Sequence, residues 1–214
     1  MNKSRLAKFW RDNRGFIVFF SLMLVARSSF ADWYHIPSAS MKPNLIEGDR
    51  VLVNKMAYRL DIPFTDIAIM PIAQPQRGDI ITFESKAAEQ RMIKRVIGIP
   101  GDIVSMHNNK LIINGEIATY QTKDSRVLKE SVAKHNRQIQ LTATEQQDFQ
   151  SFQAVTVPKD HLLVLGDNRN NSADSRYYGF IPMDEVSGKA LKVIASFNPD
   201  NYYIPRENRF METL

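Results

Sequence analysis

The sequence predicts a mostly β domain preceded by a single N-terminal helix. Three observations predict it: short alternating or β-branched runs begin at residue 50, turn residues separate them, and an uncharged run follows a basic N-terminal arm. No alternation of strands with helices and no internal repeat is visible. At 214 residues and 43% hydrophobic, the chain is long enough for one large or two small domains with a real core.

The N-terminal arm, residues 1–14, carries most of the net charge. It contains five Lys or Arg and one Asp, which gives +4 of the formal +5, so residues 15–214 carry only +1. A nearly neutral body without a Lys/Arg stripe does not match a nucleic-acid-binding surface, and no nucleic-acid partner is expected. The chain contains no Cys, which excludes disulfides, a thiol nucleophile and Cys-ligated zinc.

The segment 15–32 is predicted to be an uncleaved membrane anchor. It opens with twelve uncharged residues, GFIVFFSLMLVA. Twelve helical residues reach only ~18 Å against a hydrocarbon core of ~30 Å, so the helix must continue toward residue 32 to span it. The cations of the arm would stay in the cytoplasm and send the rest of the chain across the membrane. Two alternatives stay open: a cleavable signal peptide, with Ser29 and Ala31 as its small residues, and a buried core helix.

The exported part, residues 33–214, is predicted to consist of strands joined by tight turns. The pair Asn114-Gly115, flanked by apolar residues, indicates a hairpin. The strand-forming runs are Arg50–Asn54, Asp79–Phe83, Met92–Ile97, Lys110–Ile113, His161–Leu165 and Ala190–Ile194.

Residues from about 120 to 152 are rich in Gln, Lys, Thr and Ser and are predicted to form a polar surface insertion. Within this insertion, Leu128, Val132 and His135 have the spacing of one face of a short helix, which we interpret as structural.

Two serines, Ser38 and Ser40, lie between Pro37 and Pro43 just beyond the predicted anchor. Prolines fix φ and discourage helix before them, so this segment is expected to be a stiff, extended loop that presents its hydroxyls in a defined direction. On these residues alone, an ordinary Ser-rich turn is the better explanation.

Lys94 lies in an apolar run, between Met92 and Val96 on one strand face, while Arg95 takes the other face. One of the two cations must therefore point toward an apolar side. A lysine at its ordinary pKa of ~10.4 is neutral in only about one molecule in 2,500 at pH 7, but burial lowers that pKa and can make a general base. A surface lysine whose stem covers apolar residues is the commoner alternative.

A polar loop follows the strand that ends at Leu165. Ten of the eleven side chains from residue 167 to 177 are polar, and two arginines alternate with two aspartates among them. Such a loop is expected to be held by ion pairs and hydrogen bonds, which makes it rigid enough to orient a catalytic group. A solvated loop is the alternative.

Common hydrolase signatures are absent from the sequence. There is no Gly-x-Ser-x-Gly, no His-Glu-x-x-His and no phosphate-binding loop, and the four histidines are isolated from one another and from acidic clusters. No metal site is expected. Ser131–Lys134 matches Ser-x-x-Lys, but Ser-Asp-Asn and Lys-Thr-Gly are missing, so we take the match as accidental.

Together, these segments resemble the type I signal peptidases, the membrane-bound Ser/Lys proteases that remove signal peptides from exported proteins. The resemblance covers nearly the whole chain in order. Its motifs are Arg27–Phe30, Ile36–Pro43, Gly48–Val53, Arg77–Ile80, Ile93–Asp102, Gly166–Arg169 and Ser172–Gly179. It implies a mostly β, antiparallel catalytic domain with one N-terminal transmembrane helix, and no cofactor.

The resemblance also implies roles for individual residues. Ser40 matches the nucleophile and Lys94 the unprotonated general base. The Ser40 backbone N–H and the Ser38 hydroxyl match the oxyanion hole. Ser172 matches the residue that hydrogen-bonds the lysine. Asp174 and Arg176 match residues that support the polar loop.

In this family, the substrate is an exported preprotein that lies as an added strand and is cut after small, Ala-x-Ala-like residues. The resemblance therefore implies a single-pass protein of the bacterial inner membrane, in contact with lipid, with its N-terminus in the cytoplasm and its catalytic domain outside. The residues implied to contact substrate are Ile36, Pro37, Met41, Leu45, Met92 and Ile93.

Two positions depart from the family pattern. Asn170 stands where the family often has Asp, which predicts a weaker ion pair in the polar loop. Met92 stands where an aromatic residue is common, which predicts an altered small-residue pocket. The anchor is single and the insertion lacks cysteine.

Three alternatives stay open on the sequence. One is a specialised relative that processes a pilin or conjugation protein. Another is a Ser/Lys self-cleaving transcriptional repressor, which the anchor and the absence of a DNA-reading domain disfavour. The third is an exported binding module without activity, which the intact set of serines and lysine disfavours.

Overall fold

A computed structural model describes residues 3–65, 67–142 and 150–214. The helices are α1 Lys3–Ser29 and α2 Ser175–Tyr178, and single 3-10 turns occur at Ala39–Met41, Lys55–Ala57, Met183–Glu185 and Glu207–Arg209. The strands are β1 Ala31–His35, β2 Asp49–Asn54, β3 Arg59–Asp61, β4 Ala68–Pro71, β5 Ile80–Ser85, β6 Gln90–Gly98, β7 Ile103–His107, β8 Lys110–Ile113, β9 Glu116–Ile117, β10 Thr119–Thr122, β11 Val127–Val132, β12 His135–Gln140, β13 Phe152–Thr156, β14 His161–Leu165, β15 Ile181–Pro182, β16 Val186–Asn198, β17 Ile204–Pro205 and β18 Glu212–Thr213.

The helix α1 differs in extent from the predicted segment 15–32. It begins at Lys3, within the basic arm, and ends at Ser29, and the chain enters β1 at Ala31. Among the residues with described structure, no helix combines the length and the apolar character needed to cross a membrane.

The mostly β, antiparallel prediction is confirmed. The main sheet has the strand order β1-β2-β16-β5-β6-β14-β15, and β17 and β18 also pair with β16. A second sheet has the order β13-β7-β8-β9, a third β10-β11-β12, and β3 pairs with β4. Each predicted strand-forming run lies in a strand, except that Asp79 comes just before β5. The predicted hairpin joins β8 to β9, with Asn114 and Gly115 both at positive φ.

The helix predicted around residue 128 is wrong. Leu128 and Val132 lie on β11, and His135 begins β12. The two strands pair through a tight turn in which Ala133 and Lys134 both adopt positive φ. A spacing of four also places two residues on one face of a strand, so the pattern did not distinguish the two structures.

The sheet β10-β11-β12 is packed against the rest of the domain. Val132 and Ala118 are buried in one apolar cluster with residues of β6, β7, β8 and β14. The described part of the predicted insertion is therefore joined to the core, while residues 143–149 lie outside the described residues.

A second apolar cluster supports the turn at Ala39–Met41. Met41 and Leu45 are fully buried in it, against Val51 of β2 and Val193 of β16. Ile93 of β6 belongs to the same cluster, so the turn and the strand that carries Lys94 pack on the same part of the core.

Candidate active site

Ser40 lies in the middle of the 3-10 turn Ala39–Met41. Ser38, just before the turn, has extended backbone, and its hydroxyl donates a hydrogen bond to Ser40 Oγ at 3.4 Å. Because the side chain of Met41 is held in the core, the turn presents the Ser40 hydroxyl toward β6. The loop predicted from the prolines thus contains one short turn.

Lys94 meets Ser40 although the two are far apart in sequence. Lys94 Nζ donates a hydrogen bond to Ser40 Oγ at 2.8 Å. The side chain of Lys94 is on β6, and the residue is only 4% exposed. The sequence predicted that one of the cations Lys94 and Arg95 would point toward an apolar side, and the structure buries both of them.

Arg95 is also buried, at 9% exposed, but its environment differs. Its guanidinium forms two hydrogen bonds to Asp167, both 2.8 Å, and a third to the Gly78 carbonyl. Across the described ranges, Lys94 has no carboxylate within ion-pair distance. One buried cation is thus neutralised by a partner and the other is not.

This difference appears in the acidity of Lys94. Burial lowers the pKa of Lys94 from its ordinary 10.5 to about 8, against the opposing charges of Asp174 and Asp167, and Arg176 lowers it further. At pH 7, about one molecule in ten then holds a neutral amine, far more than for an exposed lysine. The site therefore keeps a usable fraction of free base near neutral pH.

Arg176 limits the influence of Asp174 on the lysine. Arg176 Nε and Nη2 donate to the two oxygens of Asp174 at 2.8 and 2.7 Å, and the Gly166 N–H donates to the same carboxylate at 2.9 Å. Asp174 also caps α2 by accepting from the Arg176 N–H. The Asp174 carboxylate is thus bound within its own loop by Arg176 and by the Gly166 N–H.

Ser172 lies beside Ser40 and Lys94 in the same cleft, without the hydrogen bond that the resemblance implied. Its Oγ is buried and has no hydrogen-bond partner in the described part of the chain. The loop brings it close to Gly166, where an added Cβ would lie 2.2 Å from Ser172 Oγ and 2.5 Å from the Ser40 carbonyl oxygen. Only a glycine at 166 allows the polar loop to approach the Ser40 turn this closely.

A cleft of about 540 Å³ opens over Ser40 and Lys94. It is lined by Pro37 and Ser38, by Met92 and Ile93 of β6, and by residues of the polar loop. Three other residues implied to contact substrate, Ile36, Met41 and Leu45, lie in the core behind the cleft and do not line it. Met41 ends the 3-10 turn with its side chain in the core, and Ile36 and Leu45, on either side of the turn in sequence, are buried in the same apolar cluster.

Sequence reasoning missed two residues of this cleft. Tyr34 of β1 donates from its hydroxyl to the Arg91 carbonyl at 3.3 Å, across the cleft, and the Arg91 guanidinium lies 5.9 Å from the Tyr34 ring centroid. No pattern marks either residue, because they come together only through the arrangement of β1 and β6.

The two departures from the family pattern are both in the cleft wall. Asn170 does not take part in an ion pair; its Nδ2 donates to the Thr142 carbonyl at 3.2 Å. Met92 is buried with the cluster that contains Phe83 and Val96.

Within the described ranges, no three His, Asp or Glu side chains lie close enough together to hold a metal ion.

Known proteins resemble this chain along most of its length. A family model described as "Signal peptidase, peptidase S26" matches residues 11–195. A signal peptidase I of Pseudomonas aeruginosa is 35% identical over 198 residues, which cover 84% of this chain and 69% of that protein. A signal peptidase I of Pseudomonas fluorescens is 34% identical, covering 88% and 73%. One of Aquifex aeolicus is 30% identical, covering 85% and 82%.

Proposed function

Since the chain belongs to the signal peptidase family, peptidase S26, and is a serine endopeptidase that removes signal peptides from preproteins, we propose that Ser40 is its nucleophile and Lys94 its general base. The observation that supports this assignment best is the 2.8 Å separation between Lys94 Nζ and Ser40 Oγ, at a buried position where no carboxylate of the described residues lies within ion-pair distance of the amine. An inactive binding module would have no need to hold an unpaired lysine there.

The chemistry follows from that geometry. A neutral Lys94 accepts the Ser40 proton while Oγ bonds to the scissile carbonyl carbon, and the carbonyl electron pair moves to oxygen. The tetrahedral intermediate collapses, the amine of the mature protein leaves with the proton from Lys94, and an ester remains on Ser40. Water then attacks the ester and loses a proton to Lys94, which forms a second tetrahedral intermediate. When this intermediate collapses, the bond between the carbonyl carbon and Ser40 Oγ breaks, Oγ takes the proton back from Lys94, and the signal peptide leaves as a carboxylic acid.

The oxyanion of both intermediates needs donors. We propose the Ser40 N–H and the Ser38 hydroxyl for this role. This assignment is supported by the position of the Ser38 hydroxyl, which lies 3.4 Å from Ser40 Oγ and lines the cleft. Loss of one such donor usually lowers kcat by about 10²–10³-fold.

The substrate is proposed to lie between β1 and β6 as an added strand. β1 is at an edge of the main sheet, and β6 pairs with β14 only from Arg95 to Gly98, so residues 90–94 keep one edge without a strand partner in the described structure. Main-chain hydrogen bonds to these edges would supply affinity, and the wall formed by Met92 and Ile93 would favour small side chains at the cut.

Replacing Ser40 with alanine is expected to abolish cleavage without unfolding the protein. The measurement is cleavage of a preprotein with an Ala-x-Ala site by wild type and Ser40→Ala in detergent, with thermal unfolding recorded for both. Ser151→Ala, a change of the same kind outside the cleft, is the control and should cleave normally. Substantial cleavage by Ser40→Ala would show that another residue is the nucleophile.

We further propose that α1 anchors the chain in the bacterial inner membrane with the arm in the cytoplasm. In support, the large apolar side chains Phe16, Phe19, Leu22 and Leu24 are exposed on several sides of α1. At its C-terminal end, the Arg27 guanidinium lies 4.2 Å from the Trp33 ring centroid, a pairing suited to a headgroup region.

Flotation with vesicles of bacterial lipid tests this proposal. The full chain is expected to float with the vesicles, and a variant lacking residues 3–29 is expected to lose most of its binding. Equal flotation of both would mean that other surfaces hold the chain to lipid, and no flotation of the full chain would refute the anchor.

A further inference from the structure

Asn168 joins the polar loop to the Ser40 turn. The residue follows β14 and is 1% exposed. Its backbone N–H donates to the Ser40 carbonyl at 3.0 Å, and its side-chain Nδ2 donates to the Ala39 carbonyl at 3.1 Å. The two peptide groups that flank the Ser40 Cα are therefore both held by this single residue.

The hydrogen bond from Asn168 to the Ala39 carbonyl affects the proposed oxyanion hole. The Ala39 carbonyl and the Ser40 N–H belong to one planar, trans peptide group, so a bond that fixes the direction of the carbonyl also fixes the direction of the N–H. A donor on the carbonyl also polarises the peptide and strengthens its N–H as a donor. We propose that Asn168 is a positioning residue that orients the Ser40 N–H toward the developing oxyanion. This inference rests on the proposed function of Ser40.

The orientation of the Asn168 amide is set by its other neighbours. Gln140 Nε2 donates to Thr142 Oγ1 at 3.1 Å, and the Thr142 hydroxyl in turn donates to Asn168 Oδ1 at 2.8 Å. Because Oδ1 faces a donor, Nδ2 must be the atom that faces the Ala39 carbonyl. A carboxylate at 168 would keep the bond from Thr142 but would set an anionic oxygen against that carbonyl.

The turn itself does not depend on Asn168. The Lys42 N–H also donates to the Ala39 carbonyl, at 3.1 Å, and closes the turn from within. Asn44, just beyond it, donates to Asp167 Oδ2 and to the Gln138 carbonyl. Loss of the Asn168 amide should therefore loosen the direction of one peptide and leave the fold in place.

The test compares wild type with Asn168→Asp and Asn168→Ala. We expect kcat for preprotein cleavage to fall by roughly 10–100-fold, below the loss for removing an oxyanion donor outright, while KM changes less than about threefold. The matched control is Asn114→Asp. Asn114 also uses both ends of its amide, on Asp102 and on the Ile103 N–H, but it lies in the β8–β9 turn and should retain wild-type activity.

Two ligands separate positioning from general damage. Ser40 Oγ adds to the carbonyl carbon of a peptide aldehyde ending in alaninal and passes its proton to Lys94, which leaves an oxyanion on the former carbonyl oxygen. The matched product analogue, a peptide ending in alaninol, forms no oxyanion. In the Asn168 variants, affinity for the aldehyde should fall by about the same factor as kcat/KM, and affinity for the product analogue should stay within about twofold. Equal losses for both ligands, or unchanged kcat, would overturn the proposal.

Failure of the proposed function and failure of the Asn168 inference can be told apart. Cleavage by Ser40→Ala would overturn the proposed function, whereas an inactive Ser40→Ala beside a fully active Asn168→Asp would overturn only this inference. Should both Asn168 variants fail to fold, Thr142→Val replaces them, since it removes only the support on Asn168 Oδ1. Thr142→Val should lower the affinity for the aldehyde by roughly threefold or more and leave the affinity for the product analogue unchanged. An unchanged affinity for the aldehyde would refute the role of Asn168.

Discussion

Replacing Lys94 with methionine is expected to lower kcat for preprotein cleavage by at least about 10⁴-fold while it makes the folded protein more stable. The loss of rate follows because no other base lies within hydrogen-bond distance of Ser40 Oγ among the described residues. Methionine has a similar length without the amine, so it fills the same space and leaves the wall of the cleft intact.

The gain in stability follows from the lowered pKa of Lys94. Between pH 8 and pH 10.5, Lys94 binds its proton more tightly in the unfolded chain than in the folded protein, so the stability of wild type rises with pH in this range. Below pH 8, Lys94 is protonated in both states, and the folded protein bears the full cost of burying the ammonium. The penalty is on the order of 3 kcal/mol at neutral pH, less the hydrogen bond to Ser40. Thermal unfolding at pH 7 should therefore occur several degrees higher in Lys94→Met.

The control for this variant is Lys86→Met, at a lysine whose side chain is 76% exposed and which should change neither rate nor stability appreciably. Appreciable cleavage by Lys94→Met would remove Lys94 from the dyad. If Lys94→Met unfolds at a lower temperature than wild type, the buried ammonium does not destabilise the folded protein.

The second large effect concerns Glu130, which is fully buried between two arginines. Arg169 donates to both of its carboxylate oxygens at 2.7 Å, Tyr120 donates at 2.8 Å, and Arg137 donates through Nε. Arg169 lies in the polar loop and Arg137 on β12, so this carboxylate joins the loop to the third sheet. Glu130→Gln leaves two buried guanidiniums without their counter-charge and is expected to cost about 3–5 kcal/mol.

The Glu130 carboxylate also makes the stability of the folded protein depend on pH. Burial opposes its ionisation, but Arg169 and Arg137 overcome that and lower the pKa of Glu130 from 4.5 to about 2. A lowered carboxylate pKa contributes stability that is complete above 4.5 and is lost as pH falls toward 2. Glu130→Gln lacks this contribution, so the gap in stability between wild type and the variant should narrow as pH falls from 5 to 2.

Urea unfolding at several pH values measures this gap, with Asp184→Asn as the control because that side chain is 70% exposed. A gap that stays constant with pH would mean that the loss comes from packing and not from charge. A Glu130→Gln variant as stable as wild type at pH 7 would refute the role of the network.

The sequence predicted those parts of the fold that depend on local pattern. Alternation marked the strands β2, β5, β6, β8, β14 and β16, and Asn114-Gly115 marked a turn that needs two positive φ values. It failed at Leu128 and Val132, where an even spacing fits either element. It also gave no sign of Tyr34 in the cleft, because contacts between separate strands leave no periodic trace.

The candidate site was predicted in the same uneven way. Strand alternation indicated that Lys94 or Arg95 would be buried, but only the family resemblance paired Lys94 with Ser40 across 54 positions. Burial of Glu130 with Arg137 and Arg169 could not be predicted, since charged residues in a polar segment ordinarily face solvent and their partners are up to 39 positions away. The expected bond from Ser172 to the lysine is not formed, because the loop turns that hydroxyl toward Gly166.

We propose that Ser40 is activated by a lysine whose buried position keeps it partly neutral, and this activation should be visible in the pH dependence of kcat/KM. This quantity reports ionisation in the free enzyme, the state to which the lowered pKa refers. We expect kcat/KM for a preprotein to rise about tenfold per pH unit in the acidic range and to level off near pH 8. A profile that is flat from pH 6 to 9, or that continues to rise to the ordinary lysine pKa near 10.5, would contradict the account.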